Sequence, residues 1–522
     1  MRPFRALLLA TALIMLASGT AMAVPYVGTS PEAVSPIDSS PFAPCEPAAT
    51  EDGTVSVSGE VEPHTAVDPD DEDFLVGGWQ QDRWSDGGAS GNSSAVSTDG
   101  GDTWTVIEDT KHSICSGGTA ANGGDYERST DPWVAVSPDG TAYFQSLSFN
   151  NTRDLANAVL VSRLEDGAWS DPVTLIRDTD NNVFNDKNSM TADYNDSDLV
   201  YAVWDRLVFP VERAGGRSWE RAAAYKGPIY FTRTTDGGET WEEARSLFDP
   251  GRNSQTIGNQ IAVLPRDEGD TESTLVNVFN LISTRNKEGL KGYNVAIIRS
   301  EDSGETWSEP IIVDKLGTAE ISDPDTGDYV RTADILPMIA VDRDSGALYA
   351  VWQDARFTDG NYDQIAMSVS VDAGLTWSEP VRVNRTPEPD TDEPAGNVQA
   401  FTPQVHVLDD GTVGVLYYDF RNNDAGDAAL ETDAFLVHCD EPSPTDDDLC
   451  AGEWEETRIT PTSFDHRQAP DAGGLFLGDY IGLVDTDADG DGVSDTFVPF
   501  FTQSNDESDP STIYSSLASP QP

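Results

Sequence analysis

Basic residues are scarce in this chain. Lys and Arg together number 31 against 92 Asp and Glu, which leaves a formal net charge of −61 over 522 residues. A surface this acidic repels nucleic acid phosphates and anionic lipid headgroups, so we expect no nucleic acid partner and no membrane insertion. The same excess keeps a protein soluble in high salt, where screening removes self-repulsion. Calcium binding is the other reason for a chain to accumulate aspartate.

Histidine and cysteine are rare as well. The five histidines suggest no Ser-His-Asp triad, and no CxxC pair or Cys/His cluster suggests zinc. The four cysteines are an even number, which favours disulfides in an exported protein. Cys439 and Cys450 would close a short local loop, which leaves Cys45 and Cys115 to tie the N-terminal segment to the first repeat.

Long apolar runs are missing except at the start of the chain. Arg2 and Arg5 precede an apolar run over residues 6–17, and a small-x-small site ends at Ala23. The run is short for a membrane-spanning helix but typical of a signal peptide. The sequence therefore predicts a signal peptide over residues 1–23 and a soluble, secreted mature protein.

What the chain does contain is a repeated turn motif. Four segments read Ser/Thr-x-Asp-x-Gly-x-Thr-Trp between strand-like apolar runs, at residues 97–104, 234–241, 300–307 and 370–377. The chemistry suits a hairpin turn: the carboxylate accepts backbone N–H groups, the glycine adopts positive φ, and the tryptophan packs back on the sheet. The motif is thus interpreted as a folding device and not as a catalytic one.

The spacing of the motif predicts the number of repeats. Its aspartates stand at Asp99, Asp236, Asp302 and Asp372, so the first gap is twice as long as the others. A degenerate copy over residues 165–169 fills that gap, and extrapolation predicts two further repeats near residues 440 and 510. Two inner strands, a third strand, the turn and a fourth strand make one four-stranded blade.

These repeats predict an all-β propeller. We expect residues 50–522 to form one propeller domain of seven blades, with six as the alternative, and the segment 55–67 to supply a strand that closes the ring. Residues 24–49 are polar and rich in Pro and Ser, which is typical of a tail or linker.

The turn motif resembles the Asp-box of the sialidase superfamily, also called BNR-repeat propellers. The resemblance implies a secreted, monomeric protein that acts on a glycan or glycoconjugate. Sialidases use three arginines to hold the substrate carboxylate, an aspartate as the acid/base and a tyrosine as the nucleophile. By that resemblance the arginines are Arg206, Arg356 and Arg421, the acid is Asp131 or Asp186, and the nucleophile is Tyr480.

The order of the strands predicts the position of a site independently of the resemblance to sialidases. The start of the first strand and the end of the second lie on one face of a blade, and Asp, Arg and aromatic residues recur at these places. A carboxylate-pair glycosidase is therefore an alternative, with Asp131 or Asp186 acting together with Asp354 or Asp479. A further alternative is a non-catalytic propeller that binds a glycan or a protein as a scaffold.

One acidic loop carries a metal signal. Aspartates alternate along it and are interrupted by glycine, as in EF-hand-like calcium loops. The candidate ligands are Asp485, Asp487, Asp489, Asp491 and Asp495. The loop fits two registers, and the one that begins at Asp487 also uses Asp495. The sequence therefore predicts a structural Ca²⁺ in the last blade, on the face away from the site.

Overall fold

The structure is a computed structural model. It describes residues 25–521 apart from 38, 44, 46–52, 153, 210–225, 268, 285–290, 388–394, 425, 427, 441, 489 and 491. The predicted signal peptide lies outside these residues. Within the described part of the chain, no helix is long and apolar enough to cross a membrane.

The described residues form strands with three single-turn 3-10 helices and no α-helix. The strands of the first half are β1 (Tyr26–Gly28), β2 (Glu32–Ala33), β3 (Val55–Ser56), β4 (Val61–Asp68), β5 (Asp71–Trp84), β6 (Ala89–Thr98), β7 (Thr105–Ile107), β8 (Arg128–Val136), β9 (Ala142–Phe149), β10 (Asn157–Glu165), β11 (Ala168–Trp169), β12 (Val173–Asp178), β13 (Val183–Ala192), β14 (Leu199–Val208), β15 (Lys226–Gly227), β16 (Ile229–Thr235), β17 (Arg245–Phe248), β18 (Ser254–Val263), β19 (Leu275–Ser283), β20 (Tyr293–Ser300) and β21 (Ile311–Leu316).

The second half continues the same pattern. Its strands are β22 (Ile321–Ser322), β23 (Tyr329–Arg331), β24 (Met338–Val341), β25 (Leu348–Asp354), β26 (Gln364–Ser370), β27 (Val381–Arg382), β28 (Ala400–Val407), β29 (Val413–Asp419), β30 (Glu431–Cys439), β31 (Glu455–Arg458), β32 (Phe464–Asp465), β33 (Leu475–Phe476), β34 (Gly482–Thr486), β35 (Thr496–Asp506), β36 (Asp509–Ser515) and β37 (Ala518–Pro520). The 3-10 helices are Ala355–Thr358, Ala395–Val398 and His466–Gln468.

Successive antiparallel groups of strands make up the described chain. In order they are β4–β5–β6–β7, β8–β9–β10–β12, β13–β14–β16–β17, β18–β19–β20–β21, β24–β25–β26–β27, β28–β29–β30–β31 and β34–β35–β36. The first strand of each group contacts the first strand of the next, and β34 of the last group contacts β4 of the first. The first strands therefore close a ring, which is the arrangement of a β-propeller.

The N-terminal segment belongs to this ring. Strand β1 pairs with β37 and β2 pairs with β36, so the segment extends the last group of strands. The polar tail or linker predicted over residues 24–49 is instead held in place where it is described, because Tyr26, Val34 and Phe42 are buried. The segment 55–67, predicted to close the ring, contains most of β4, the first strand of the first group, and β4 contacts β34 of the last group. Strands β1 and β2 complete the last group.

Two disulfides join the described cysteines. Cys45 bonds Cys115 with their Cα atoms 5.5 Å apart, and Cys439 bonds Cys450 with a Cα–Cα distance of 6.1 Å. The local pairing predicted for Cys439 and Cys450 is confirmed, and the remaining two cysteines, whose pairing the sequence left open, bond each other. The first bond fastens the N-terminal segment beside the first group of strands, and the second closes a short loop after β30.

The four turns with the repeated motif share one hydrogen-bond pattern. In the turn after β20, Asp302 accepts from the backbone N–H of Thr306 at 2.8 Å and from its hydroxyl at 2.6 Å. Ser300 donates its hydroxyl to the same carboxylate at 2.7 Å, and its oxygen accepts the N–H of Gly304 at 2.9 Å. Gly304 has φ of 88°, a conformation that favours glycine. The aspartate thus organises the turn.

An arginine joins each of three such turns to the preceding group of strands. Arg233 on β16 donates to the carbonyl of Ser303 at 2.6 Å and to the carboxylate of Glu305 at 2.6 Å. Arg163 does the same with Gly237 and Glu239, and Arg299 donates to the carbonyl of Ala373. These contacts bind the second to the third group, the third to the fourth, and the fourth to the fifth.

We expect the bond from Arg233 to the carbonyl of Ser303 to contribute more to stability than its bond to the exposed carboxylate of Glu305. Arg233→Ala should lower the free energy of unfolding by about 1–3 kcal/mol, because it removes a charged donor from a backbone acceptor. Glu305→Ala removes only an exposed ion pair and should cost about 0–1 kcal/mol. Urea unfolding of both variants checks this, and equal shifts in the midpoint would contradict it.

Candidate functional site

Bulges in the first strands create the site. The register of β4, β8 and β13 shifts between Val61 and His64, between Thr130 and Trp133, and between Asp186 and Ser189. A bulge bends the strand and redirects a side chain. Each of these bulges contains a non-glycine residue in the left-handed region: Glu62 (φ 55°), Asp131 (φ 45°) and Lys187 (φ 45°). Such conformations are costly and cluster at functional sites.

The three bulges converge on the ammonium group of Lys187. Its Nζ lies 2.9 Å from Oδ1 of Asp131, 2.6 Å from Oδ2 of Asp479 and 3.3 Å from Oε1 of Glu62. These carboxylates come from three different groups of strands, and the side chains of all three are at most 3% exposed. Gln80 donates a further hydrogen bond to Glu62. We call Glu62, Asp131, Lys187 and Asp479, together with the neighbouring Asp186, the acid cluster.

Burial and neighbouring charges separate the pKa values in the acid cluster. Burial, together with the charges of Asp131 and Asp479, raises the pKa of Asp186 to about 7. Burial also raises the pKa of Glu62 to about 8, despite the nearby Lys187. For Asp479 burial acts in the same direction, but Arg331 and Lys187 overcome it and hold its pKa well below the usual range. The cluster therefore holds protonated and ionised carboxyl groups side by side at neutral pH.

A segment that crosses the ring forms one side of the site. Strands β22 and β23 lie in sequence between the fourth and fifth groups, yet β23 pairs in parallel with β33, just before the last group. Arg331 at the end of β23 donates to both carboxylate oxygens of Asp479, at 3.1 and 2.7 Å. Arg467 holds the other end by bonding Asp323 at 2.7 and 3.0 Å. Charged pairs thus fix the segment at both ends.

A cavity of about 900 Å³ opens beside the acid cluster. The five cluster residues line it, together with Arg83 and with Arg331, Asp334 and Glu320 of the crossing segment and its flanks. The rest of the wall is mixed in character. Its apolar side chains include Phe149, Phe184, Leu207, Ile257, Ile282 and Leu336, and its polar ones include Thr130, Asn253, Ser254, Gln255 and Thr284.

The structure brings three of the predicted site residues together. Asp131, Asp186 and Asp479 all line the cavity. Tyr480 lies beneath them and does not line it: the residue is 3% exposed, and its hydroxyl donates to the carbonyl of Pro132 at 3.0 Å.

The other predicted residues lie elsewhere and have local partners. Arg206 bonds Asp178 at 2.5 Å, and Arg421 bonds Asp419 at 2.6 Å and also contacts Glu456. Asp354 and Arg356 pair with each other at 2.8 Å and line a separate, shallower pocket of about 460 Å³. The three arginines therefore do not surround one point at the cavity.

Sequence reasoning did not select Glu62, Lys187 or Arg331 as site residues. The sequence does contain a pattern that marks Glu62 as a site residue, because residues 62–67 and 131–136 both read acid-Pro-x-x-Ala-Val. Aligning the two segments would have placed Glu62 at the position of Asp131. Lys187 occupies the same bulge without the proline. Arg331 and Lys187 were expected at the mouth because they stand before first strands, but the bond of Arg331 to Asp479 depends on pairing between strands that are distant in sequence.

The predicted calcium loop is described in part. Asp485 belongs to β34, and one of its oxygens lies 2.8 Å from Nε2 of His406. The carboxylate of Asp487 accepts the N–H groups of Gly490 at 2.8 Å and Gly492 at 2.7 Å. Asp489 and Asp491 lie outside the described residues. Among the residues that are described, no group of three or more His, Cys, Asp or Glu is arranged to hold a metal ion.

Known proteins resemble the chain only distantly. No protein-family profile matches it, and no curated protein matches its sequence. Among solved structures, a Penicillium chrysogenum alpha-L-arabinanase is 12% identical with a TM-score of 0.41, covering 94% of this chain and 98% of that one. The intramolecular trans-sialidase of Ruminococcus gnavus is 13% identical with a TM-score of 0.40, covering 88% and 94%. The Hadza microbial sialidase Hz136 is 16% identical with a TM-score of 0.40, covering 69% and 64%.

The raised pKa of Asp186 makes stability depend on pH. Its folded pKa of about 7 lies above the ordinary 3.8, so the folded state binds the proton more tightly than the unfolded state does. The resulting stabilisation is complete at low pH and is lost as the pH rises from about 4 to about 7. Asp186→Asn keeps a neutral group, so its urea midpoint should fall less than that of the wild type between about pH 5 and about pH 8.

A matched control is available for this measurement. Glu309 is exposed and outside the cavity, so Glu309→Gln should reproduce the pH dependence of the wild type. The expectation fails if Asp186→Asn loses as much stability over this range as the wild type and the control do.

Proposed function

We propose that the protein is a secreted glycoside hydrolase that works with a pair of carboxyl groups in the cavity. The observation that carries the proposal is that Asp186, with a pKa of about 7, shares the acid cluster with Asp131, whose carboxylate contacts Lys187. A carboxyl group with a raised pKa beside a second carboxyl group is typical of a general acid and its partner. Glycosidases use such a pair on the two sides of the bond that is cleaved.

The roles follow from the surroundings of each residue. Asp186 gives its proton to the glycosidic oxygen while the bond from that oxygen to the anomeric carbon breaks. Asp131 faces the positive charge that develops on the sugar, either as nucleophile or as the base that activates water. Water supplies the hydroxyl of the released sugar. Where Asp131 is the nucleophile, Asp186 takes the remaining proton of the water as the glycosyl–Asp131 bond breaks; where Asp131 is the base, Asp131 takes that proton and releases it to solvent, from which Asp186 is protonated again. Lys187, Arg331 and Asp479 position the cluster, and Glu62 accepts the bond from Gln80.

The sialidase-type alternative has less support in the site. It requires arginines that converge on a substrate carboxylate, whereas Arg206, Arg356 and Arg421 pair with carboxylates away from the cavity lining. It also requires a reactive tyrosine, whereas the hydroxyl of Tyr480 bonds a backbone carbonyl. The residues of the cavity therefore favour a pair of carboxyl groups.

A scaffold that binds glycans without cleaving them is the second candidate. The ion pairs of Lys187 and Arg331 favour it, since they stabilise the carboxylates without any substrate. Activity on a panel of glycosides separates the two candidates.

We further propose a seven-bladed Asp-box propeller that is exported as a monomer. The closed ring of first strands and the common hydrogen bonds of the four motif turns support the blade assignment. The two disulfides support an oxidising, extracellular location.

Substitution of the carboxyl pair tests the hydrolase directly. Asp186→Asn and Asp131→Asn should each lower kcat/KM by about 10²–10⁴-fold, because each removes an acid or base group from the reaction. In the wild type, kcat/KM should decline above about pH 7, where Asp186 loses its proton. Glu309→Gln should behave as the wild type. No turnover of any glycoside by the wild type, with glycan binding unchanged in Asp131→Ala and Asp186→Ala, would instead support the scaffold.

We also propose that Ca²⁺ binds the loop after β34 in the register that begins at Asp487. The contact of Asp485 with His406 favours that register, since it engages Asp485 elsewhere. Ca²⁺ should raise the thermal unfolding temperature of the wild type, EDTA should reverse the rise, and Asp487→Asn should abolish it while Glu309→Gln retains it. Calorimetric titration with CaCl₂ measures the binding, and equal responses of Asp487→Asn and the wild type would contradict the site.

A further inference from the structure

Among the described residues of the cavity wall, acidic side chains outnumber basic ones by two to one. The six acidic residues are Glu62, Asp131, Asp186, Glu320, Asp334 and Asp479, and the three basic residues are Arg83, Lys187 and Arg331. Even with Glu62 and Asp186 both counted as protonated, the four remaining acidic residues face three basic ones. The part of the wall that the structure describes therefore offers a ligand no net positive charge.

Each of the three basic groups already has partners within the protein. Lys187 contacts three carboxylates. Arg331 bonds both oxygens of Asp479 and the carbonyl of Ala472. Arg83 donates to Gln80 at 3.0 Å, and its guanidinium lies 5.0 Å from the centre of the Phe476 ring. A negatively charged ligand would have to take a cation away from one of these partners.

A negatively charged sugar would also meet repulsion. Recognition of a carboxylate usually depends on a bidentate bond from an arginine fork, and here the fork of Arg331 holds Asp479. Each carboxylate of the wall that lies near the ligand adds unfavourable Coulomb energy, which is largest where water is excluded. The net charge of −61 on the whole chain acts in the same direction at longer range.

The wall suits an uncharged sugar instead. Carboxylates and the amides and hydroxyls of Asn253, Gln255 and Thr284 can bond sugar hydroxyl groups. Apolar side chains on the same wall can cover the C–H faces of a ring. Tyr293 and Tyr329 also line the cavity and are 39% and 40% exposed, so their rings are open to a ligand.

We propose that the cavity selects uncharged sugars and rejects sugars with a carboxylate, such as uronic and sialic acids. This inference rests on the proposed function in taking the cavity as the glycan site. It goes further in naming the substrate class, and it assigns the selection to the excess of carboxylates around Lys187 and Arg331.

Matched ligand pairs test the charge selection by binding, without relying on turnover. Suitable pairs are galactotriose with trigalacturonate and methyl glucoside with methyl glucuronide, titrated by calorimetry. We expect the uncharged member of each pair to bind at least about tenfold more tightly. A ratio of this size corresponds to the repulsion of a single like-charge contact at the protein surface. Tighter or equal binding of the acidic members would overturn the inference, and so would the absence of binding by every ligand of both classes.

Two further measurements assign the selection to charge. Glu320→Lys replaces an acidic residue at the rim of the cavity and should narrow the ratio between the two affinities several-fold. Glu309→Lys makes the same change of charge away from the cavity and should leave the ratio unaltered. Raising NaCl from about 0.05 M to about 1 M should also narrow the ratio, because it shortens the Debye length. A ratio that responds to neither Glu320→Lys nor salt would show exclusion by shape and overturn the inference.

Hydrolysis is measured separately with aryl glycosides of the same uncharged sugars. Binding of uncharged sugars without any turnover would refute the hydrolase and leave the charge selection standing. Turnover of aryl glucuronides or sialosides in preference to aryl glucosides and galactosides would support a hydrolase and refute the charge selection.

Discussion

The site depends on one buried ammonium group that three carboxylates share. Lys187 stands on the third group of strands, and its partners Glu62, Asp131 and Asp479 come from the first, second and last groups. A buried ion cluster of this kind is weak evidence for stability, because desolvation offsets much of the attraction. It does restrict geometry, since loss of any one partner leaves an uncompensated charge. The cluster thus fixes how four groups of strands meet at one mouth of the ring.

This arrangement links architecture to chemistry. Carboxylates close together cannot all be ionised without a compensating cation, so their protonation states diverge. Lys187 and Arg331 keep Asp479 charged, while burial and the neighbouring carboxylates keep the proton on Asp186. The crossing segment contributes through Arg331, so the protonation of the cluster depends on strands that lie outside the ring's repeating pattern.

Part of this structure could be predicted from the sequence. The turn motif and the alternating strands predict the repeat, and strand order alone places Asp131, Asp186 and Asp479 at one mouth. The pairing of Cys439 with Cys450 was also predictable from their spacing, whereas that of Cys45 with Cys115 was not fixed by the sequence. The blade count and the calcium loop stay predictions.

Other features of the structure could not be predicted from local sequence patterns, for physical reasons. The recurring Asp–Arg sequence at strand ends suggested a shared site, yet Arg356 and Arg421 bond the aspartate two residues earlier and stay local. The pairing of β23 with β33 joins residues that are distant in the chain, so no short window of sequence contains it. Residues 24–49 have the composition of a linker, but a few buried apolar side chains suffice to anchor the described part.

The pairing of β1 with β37 and of β2 with β36 makes the ring dependent on both ends of the chain. The last group of strands reaches its full width only when β37 and β36 pair with β1 and β2. Closing so long a loop adds little to the free energy of folding, because the entropic cost of closure grows only with the logarithm of loop length. It is slow kinetically, since contacts between distant residues form late. Until then the edges of β36 and β37 stay unpaired and open to strands of other molecules. The N-terminal strands therefore cover two strand edges that would otherwise be open to strands of other molecules.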